Sequence, residues 1–382
     1  MALREKTTFQ FFWQDRVVPR DFRSGVSLHS HTMYSEESLN ILPRYTGKVP
    51  LLRRALDKNV DYARAYWTPP LSPRQAHRLE EKQIQRRFRL PGLVSLTDHD
   101  NIQAGMMLRV LDRFRHAPVS TEWTIPFGPT FFHLGIHNMP AALATSIMGQ
   151  LNQFTADPNR GNLGSCLALL SSFPDVLLVL NHPLWDEKGI GANHHGQALQ
   201  ELLRLHTEHF HALELNGLRS WKENQQVIKL GQQTGKPLVG GGDRHGREPN
   251  AILNLSRGSS LLEFIHEVRY QNVNRVVFMP QYHESLTLRM IQTAIDILRD
   301  YPEVFEGRRT WPERVFYRGA EGAVPVSMAS IWPNGNTPGF FKAVTLATRI
   351  AQTGPATSVL RLAFDDRARV WRNFNLEHEA AT

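Results

Sequence analysis

Apolar residues along the chain fall in short runs rather than long blocks. The runs are GVSLH (25–29), GLVSLTD (92–98), FFHLGI (131–136), DVLLVLNH (175–182), HALELN (211–216), KPLVGGGD (236–243) and RVVFMP (275–280), with VSTEW (119–123) as a weaker one. Their lengths and their Val, Leu and Ile content predict strands covered on both faces. Between several of them the period changes to three and four. GQALQELLRLHTEHF (196–210) and SWKENQQVIKLGQQTG (220–235) predict helices, the second closed by Gly235 with Pro237 just beyond it. Strand–helix alternation of this kind predicts parallel pairing, in a barrel or an open α/β sheet.

Two regions break the alternation. Residues 40–90 read as an insertion with two helical pieces, split by the proline cluster WTPPLSP at 67–73. From about residue 284 the pattern is helical (SLTLRMIQTAIDILRD), then rich in Pro and Gly, then helical again near 340–352. The expected organisation is an α/β unit over 20–285 that carries the insertion. A mainly helical C-terminal extension over 286–382, without an interpretable motif, follows it. No internal repeat or low-complexity tract is present.

Composition narrows the picture only slightly. The 382 residues, 41% of them hydrophobic, can bury one large core or two modest ones. The formal charge of +8 weakly favours an anionic ligand or nucleic acid, and part of it is local, in RRFR (86–89) and GRR (307–309). Cys166 is the single cysteine, which excludes an internal disulfide, a Cys-based zinc finger and an iron–sulfur site. Its run, LGSCLALL, suggests a small core residue. The N-terminus lacks the apolar segment of a signal peptide, and no run is long enough for a membrane span. The expectation is a soluble, cytoplasmic protein without membrane contact.

The chemistry is positional. His29 and His31 end the first run and leave a strand on the same face. Thr97-Asp98-His99-Asp100 ends the next, with Asp100 a possible helix N-cap. Glu122 ends the weaker candidate, His133 lies in the strand after it, His182 follows Asn181, and Asp243 and His245 end KPLVGGGD. Each element alone has an ordinary explanation as a turn, a cap or a core histidine. Together, imidazoles and carboxylates at successive strand ends are what a multi-metal hydrolytic site on the carboxyl face of a barrel requires.

Taken in order, SLHSHTMYS, GLVSLTDHDNI, Glu122, FHLGI, LNHP and GGDRH resemble the PHP family of metal-dependent phosphoesterases (polymerase and histidinol phosphatase), over residues 25–246. The resemblance implies a distorted (β/α)7-type barrel with two or three divalent ions, Mn, Fe or Zn, on its C-terminal face. It implies that His29 and His31 bind a first ion with Glu122 and Asp243. His99 and His245 would bind a second, and His133 and His182 a third that Glu122 bridges. Where the family has Ser-Asp-Gly after the first His-x-His, this chain has Ser35-Glu36-Glu37-Ser38, and Glu36 is the expected stand-in ligand. The family's small residue between Asp243 and His245 is here Arg244, which could clamp a phosphate or pair with a neighbouring acid.

The implied activity is hydrolysis of a phosphate monoester, a nucleotide or sugar phosphate, by a metal-activated hydroxide. Asp243, Arg244 and His245 would form the catalytic group, and His137, Arg219 and Lys222 would touch substrate. An exonuclease-like phosphodiesterase on short oligonucleotides is the alternative, with Arg64, Tyr66, Trp67, Arg86, Arg87 and Arg89 of the insertion holding the strand. A non-catalytic metal-binding module is the third reading. An amidohydrolase-type barrel would call for a strand-end lysine, which none of these strand ends provides.

Overall fold

Every residue of Ser24–Ser30 is buried, serines and histidine included, which fits the middle of a sheet rather than an edge. In the computed structural model, this strand lies near the centre of a large sheet. Residues 7–39, 61–62, 64–158, 160–302, 306–319, 323–331, 339–351, 353–365 and 370–371 are described. In chain order the strands are β1 (Thr7–Phe11), β2 (Ser24–Ser30), β3 (Glu37–Ser38), β4 (Ala65–Trp67), β5 (Gly92–Val94), β6 (Val119–Phe127) and β7 (Thr130–Met139). They continue as β8 (Leu177–Asn181), β9 (Ala212–Asn216), β10 (Leu238–Arg244), β11 (Ile252–Ser256), β12 (Asn274–Phe278), β13 (Val315–Tyr317) and β14 (Val326–Ser327). The large sheet has the order β1-β12-β11-β2-β10-β9-β8-β7-β6, with β5 also paired to β2.

The parallel pairing expected from the alternation holds for β2 with β5 and β10, for β9 with β10, for β8 with β9, and for β1 with β12. Elsewhere it does not. No helix separates β6 from β7. They form an antiparallel hairpin that turns at Gly128, φ 57°, and β7 is antiparallel to β8 as well. β11 is antiparallel to both of its neighbours. Of the expected distorted (β/α)7-type barrel, the mixed α/β character holds, while the strand path runs open from β1 to β6. Beyond β5 the chain stays extended between β2 and β6. Thr97 N donates to Ser30 O (2.9 Å), Glu122 N donates to Asp98 O (3.1 Å), and one bridge joins His99 to Glu122. That passage carries residues 97–100 to the side of Glu122.

The main core lies between the sheet and the helices outside it. Trp123, Ile125, Leu134, Leu178 and Leu213 are fully buried there, and burying such side chains contributes about 1.5–3 kcal/mol each. Cys166 packs against this core, half-buried. The helix Trp221–Thr234 starts on the side chain of Ser220, which accepts from Glu223 N, and ends at Gly235 with φ 68°. The proline cluster does not split two helices in the described part of the insertion. Ser72 and Gln75 form a capping box, and Pro73 opens the helix Pro73–Phe88, a place that needs no backbone N–H. The first expected helical piece, before the proline cluster, falls mostly outside the described residues; of that stretch the described Ala65–Trp67 is strand β4.

The chain beyond residue 285 is joined to what precedes it. Arg289, on the helix Leu286–Ile297, is buried and donates to the carbonyls of Gly217 and Arg219. β13 and β14 complete a small antiparallel sheet of order β14-β13-β4-β3, so the insertion and the C-terminal region share it. No helix among the described residues is long and apolar enough to cross a membrane.

Candidate metal centre

Glu122 stands mid-strand on β6, wholly buried, and both of its carboxylate oxygens face imidazoles. Oε2 lies 2.9 Å from His29 Nε2, 3.3 Å from His31 Nε2 and 3.4 Å from His99 Nδ1. Oε1 lies 3.1 Å from His182 Nε2 and 3.5 Å from His133 Nδ1, and accepts from Asn181 Nδ2 at 2.9 Å. Asp243 Oδ1 is 3.4 Å from His31 Nε2, 3.6 Å from His29 Nε2 and 3.5 Å from His245 Nδ1. A third carboxylate, Glu37, brings Oε2 to 3.1 Å from His245 Nε2 and 3.5 Å from His99 Nε2. The hairpin explains why Glu122 and His133 come from strand interiors while the others come from strand ends.

Backbone conformation aims several of these groups. His29, His182 and Asp243 have φ of 62°, 27° and 53°, in the left-handed region that non-glycine residues rarely enter. Such conformations cost about 1–3 kcal/mol each and persist where the surroundings fix them, often at functional sites. The ring tautomers are fixed as well. His29 Nδ1 donates to Glu214 Oε1 at 2.5 Å and His245 Nδ1 to the carbonyl of Asp243 at 2.7 Å, which leaves Nε2 of each ring facing the cluster.

Hydrogen bonding alone accounts poorly for this packing. His29 Nε2 and His31 Nε2 face one another at 3.2 Å while both point at Glu122 Oε2, and Glu37 Oε1 is buried without a hydrogen-bond partner. Cations account for it well. An ion with bonds of about 2.0–2.2 Å to nitrogen and oxygen keeps tetrahedral ligands about 3.3–3.6 Å apart. Among the described residues three groups bring their ligand atoms close enough for an ion: His31, Glu37, His99 and His245; His29, His31 and Glu122; His99, Glu122 and His133. Imidazole with carboxylate and no sulfur suits Zn, Fe and Mn.

Charge follows the same logic. Burial pushes the Glu122 carboxyl up, but His29, His99 and His133 hold it well below the usual carboxylate range. Asp243 and Glu37 are held low against burial in the same way, by His29 and His31 and by His245 and His99. Burial disfavours the imidazolium ions too. At His29 the carboxylates of Glu122, Glu214 and Asp243 outweigh it, and at His99 those of Glu37 and Glu122 do, so both rings are raised well above their ordinary value. His245 is raised beside Glu37 despite its burial. At His31 burial wins, helped by His245, and the ring falls to about 4; His133 also falls well below the usual range. Protonated rings thus balance an anionic pocket that divalent cations would neutralise more fully.

Among the residues expected from sequence, His29, His31, His99, Glu122, His133, His182, Asp243 and His245 stand together here. Glu36 does not. Its half-exposed carboxylate pairs with Arg318, and Glu37, the next residue, faces inward instead. Of the two roles open to Arg244, the geometry matches the pair with an acid rather than the phosphate clamp: it is buried, its Nε lies 3.1 Å from Glu80 Oε1, and it donates to the carbonyls of Gly246 and His31. His137 is buried beneath the cluster, where Nδ1 meets Ser95 Oγ at 2.8 Å and burial lowers the ring to about 3, so it is corrected as a substrate contact. Arg219 is at the edge, Nη2 3.5 Å from Asp243 Oδ2 and its guanidinium 4.0 Å over the Trp185 ring. Lys222 is exposed on the first turn of its helix. Asp100 caps no helix; its carboxylate accepts from Thr124 N.

Sequence reasoning missed Glu37 and Glu214. Glu214 is a buried acid inside the apolar strand HALELN, and a charge there needs partners, which was the available signal.

No family model and no curated protein matches this chain. Among solved structures, a protein described as a "putative metal-dependent phosphoesterase" from Bifidobacterium adolescentis is similar at 12% identity and TM-score 0.33, over 61% of this chain and 91% of its own. PsfC from Pseudomonas syringae is similar at 13% identity and TM-score 0.42, over 72% of this chain and 97% of its own. At these scores neither likeness carries an argument.

Proposed function

We propose that the chain is a metal-dependent phosphoesterase that hydrolyses a phosphate monoester, holding two or three divalent ions in the Glu122 cluster. The observation that carries the reading is the convergence of six histidines and three carboxylates, from strands far apart in sequence, at separations that suit shared cations. Bound ions would supply Lewis-acid polarisation of a phosphoryl oxygen and a lowered pKa for an attacking water. The chain's own residues do the rest. Glu122 and Asp243 hold the His29 and His31 side, and Glu37 closes the His99 and His245 side. Glu214 keeps the His29 proton on Nδ1. Arg219, beside Asp243 at the edge, offers positive charge to an incoming phosphate, with Lys222 further out.

Two features favour a small monoester over an oligonucleotide. The cleft next to His133 and His182 is narrow, lined also by Phe131, Phe132, Asn181, Trp185 and Glu187. Tyr66 and Trp67, the aromatics that would stack bases, are buried in the small sheet, Tyr66 against Phe316 and Arg318.

The test is product identification with protein loaded with Mn²⁺, a 5′-mononucleotide, a sugar phosphate and a 5′-phosphorylated oligonucleotide, with Asp243→Asn as control. Inorganic phosphate from a monoester, lost in the control, is the expected result. Mononucleotides released from the oligomer would replace the reading with the exonuclease. Bound metal without product from any of them would favour the non-catalytic module.

A further inference from the structure

Glu37 reaches the cluster from a strand only two residues long, β3, and its support comes from far away in the chain. Among the described residues β3 pairs with β4 alone, with Glu37 opposite Trp67, and β4 is held on its other edge by β13, with Val315 opposite Trp67 and Phe316 opposite Tyr66. Side chains lock the same three strands. The Phe316 and Tyr66 rings stack at 5.2 Å and 15°, Arg308 covers the outer face of Phe316 at 4.3 Å, and Arg318 lies 4.5 Å over Tyr66. Arg308 also donates to Met33 O and Thr68 Oγ1, and Arg318 pairs with Glu36, the residue before Glu37. From the opposite side Trp67 lies 5.8 Å from the His245 ring.

We propose that Arg308, Phe316 and Arg318 are positioning residues for Glu37: the C-terminal segment completes the metal centre by clamping β4 and β3 in place. This rests on reading the Glu122 cluster as a metal centre. None of the three touches the cluster; they act through the strand that carries its third carboxylate. In that role residues 306–318 build part of the site, and the insertion serves as the strand between them and the ligand.

The test uses the full chain and Mn²⁺ as the probe, with free ion counted by electron paramagnetic resonance during titration. Wild type, Glu37→Gln, the double variant Phe316→Ala/Arg318→Ala and the combination of all three are compared. Wild type is expected to bind Mn²⁺, and Glu37→Gln to weaken one class of ion. Phe316→Ala/Arg318→Ala is expected to weaken the same class by about ten-fold or more, as loss of supporting groups around a ligand does. The combination is expected to bind no more weakly than Glu37→Gln alone, because one ligand cannot be lost twice. Normal binding in Phe316→Ala/Arg318→Ala, or losses that add, would overturn the proposal while leaving the metal centre standing. A wild type that binds no Mn²⁺ would overturn both. If Phe316→Ala does not fold, Arg318→Ala at its half-exposed position carries the test. Its weaker binding should be restored by the charge exchange Glu36→Arg/Arg318→Glu, and failure of that rescue would overturn the positioning role.

Discussion

Arg244→Met should unfold the protein more easily without acting on substrate, and the size of the effect follows from what Arg244 touches. Arg244 is 4% exposed and meets Glu80, which is 0% exposed on the helix Pro73–Phe88. Glu80 also accepts from Ser27 Oγ and from Asn250 N, so one carboxylate ties the helix to β2 and to the turn after β10. Removing one partner of a buried pair strands the other charge, which costs about 3–5 kcal/mol. The pH dependence has a definite sign. Burial already raises the Glu80 carboxyl, against the pull of Arg244 and Asn250, and loss of Arg244 raises it further. A carboxyl whose folded pKa exceeds its unfolded value takes up a proton on folding. Stability therefore falls as pH rises from about 4.3 toward the folded pKa. Urea denaturation should show a lower midpoint at an unchanged slope, with the penalty larger at pH 8 than at pH 5.5. Glu80→Gln added to Arg244→Met should recover much of the loss, because the amide oxygen still accepts from Asn250. A variant within about 1 kcal/mol of wild type with a raised KM for a phosphate ester would refute the assignment and restore Arg244 as a substrate clamp.

Further consequences are each open to one measurement. Glu37→Gln should lower bound metal more than Glu36→Gln, which removes only the pair with Arg318 and leaves the inward carboxylate in place; the reverse order by elemental analysis would return the ligand role to Glu36. His29, His99 and His245 favour their protonated forms in the metal-free cluster, so each must lose a proton to bind an ion. Apparent Mn²⁺ affinity should rise from pH 6 to pH 8 with measurable proton release, and calorimetry in buffers of differing ionisation enthalpy that finds no release would contradict this. Gly241→Ala would drive a methyl into Glu214 Oε1, displacing the acceptor that fixes His29. The expected cost is about 1–3 kcal/mol with weakened metal binding, and a variant that keeps full metal affinity would argue against a role for Glu214.

Much of the centre could be read from the chain because its histidines and two of its acids stand in short windows at the ends of apolar runs. The parts that could not be read depend on distant or local geometry. Arg244 and Glu80 are 164 residues apart, and nothing near Arg244 shows which acid it meets. Glu36 and Glu37 are adjacent acids after a turn, where strand alternation has not yet set which one faces inward; pairing with β4 decides it. The hairpin was partly legible, since Gly128-Pro129 between two apolar runs is a turn signal. β11 was missed because Asn254 interrupts its apolar run, although that side chain is wholly buried and spends itself on Gly240 N and O across the sheet.

The most direct measurement is metal content. Full-length protein reconstituted with Mn²⁺, Fe²⁺ or Zn²⁺ at pH 8 and dialysed would be analysed by mass spectrometry of the metals, with Glu122→Gln alongside. The account predicts more than one ion per wild-type chain and a loss in the variant that spans both faces of the cluster, because Glu122 reaches five histidines. A wild type that retains no ion from any of the three metals, while folded, would contradict it.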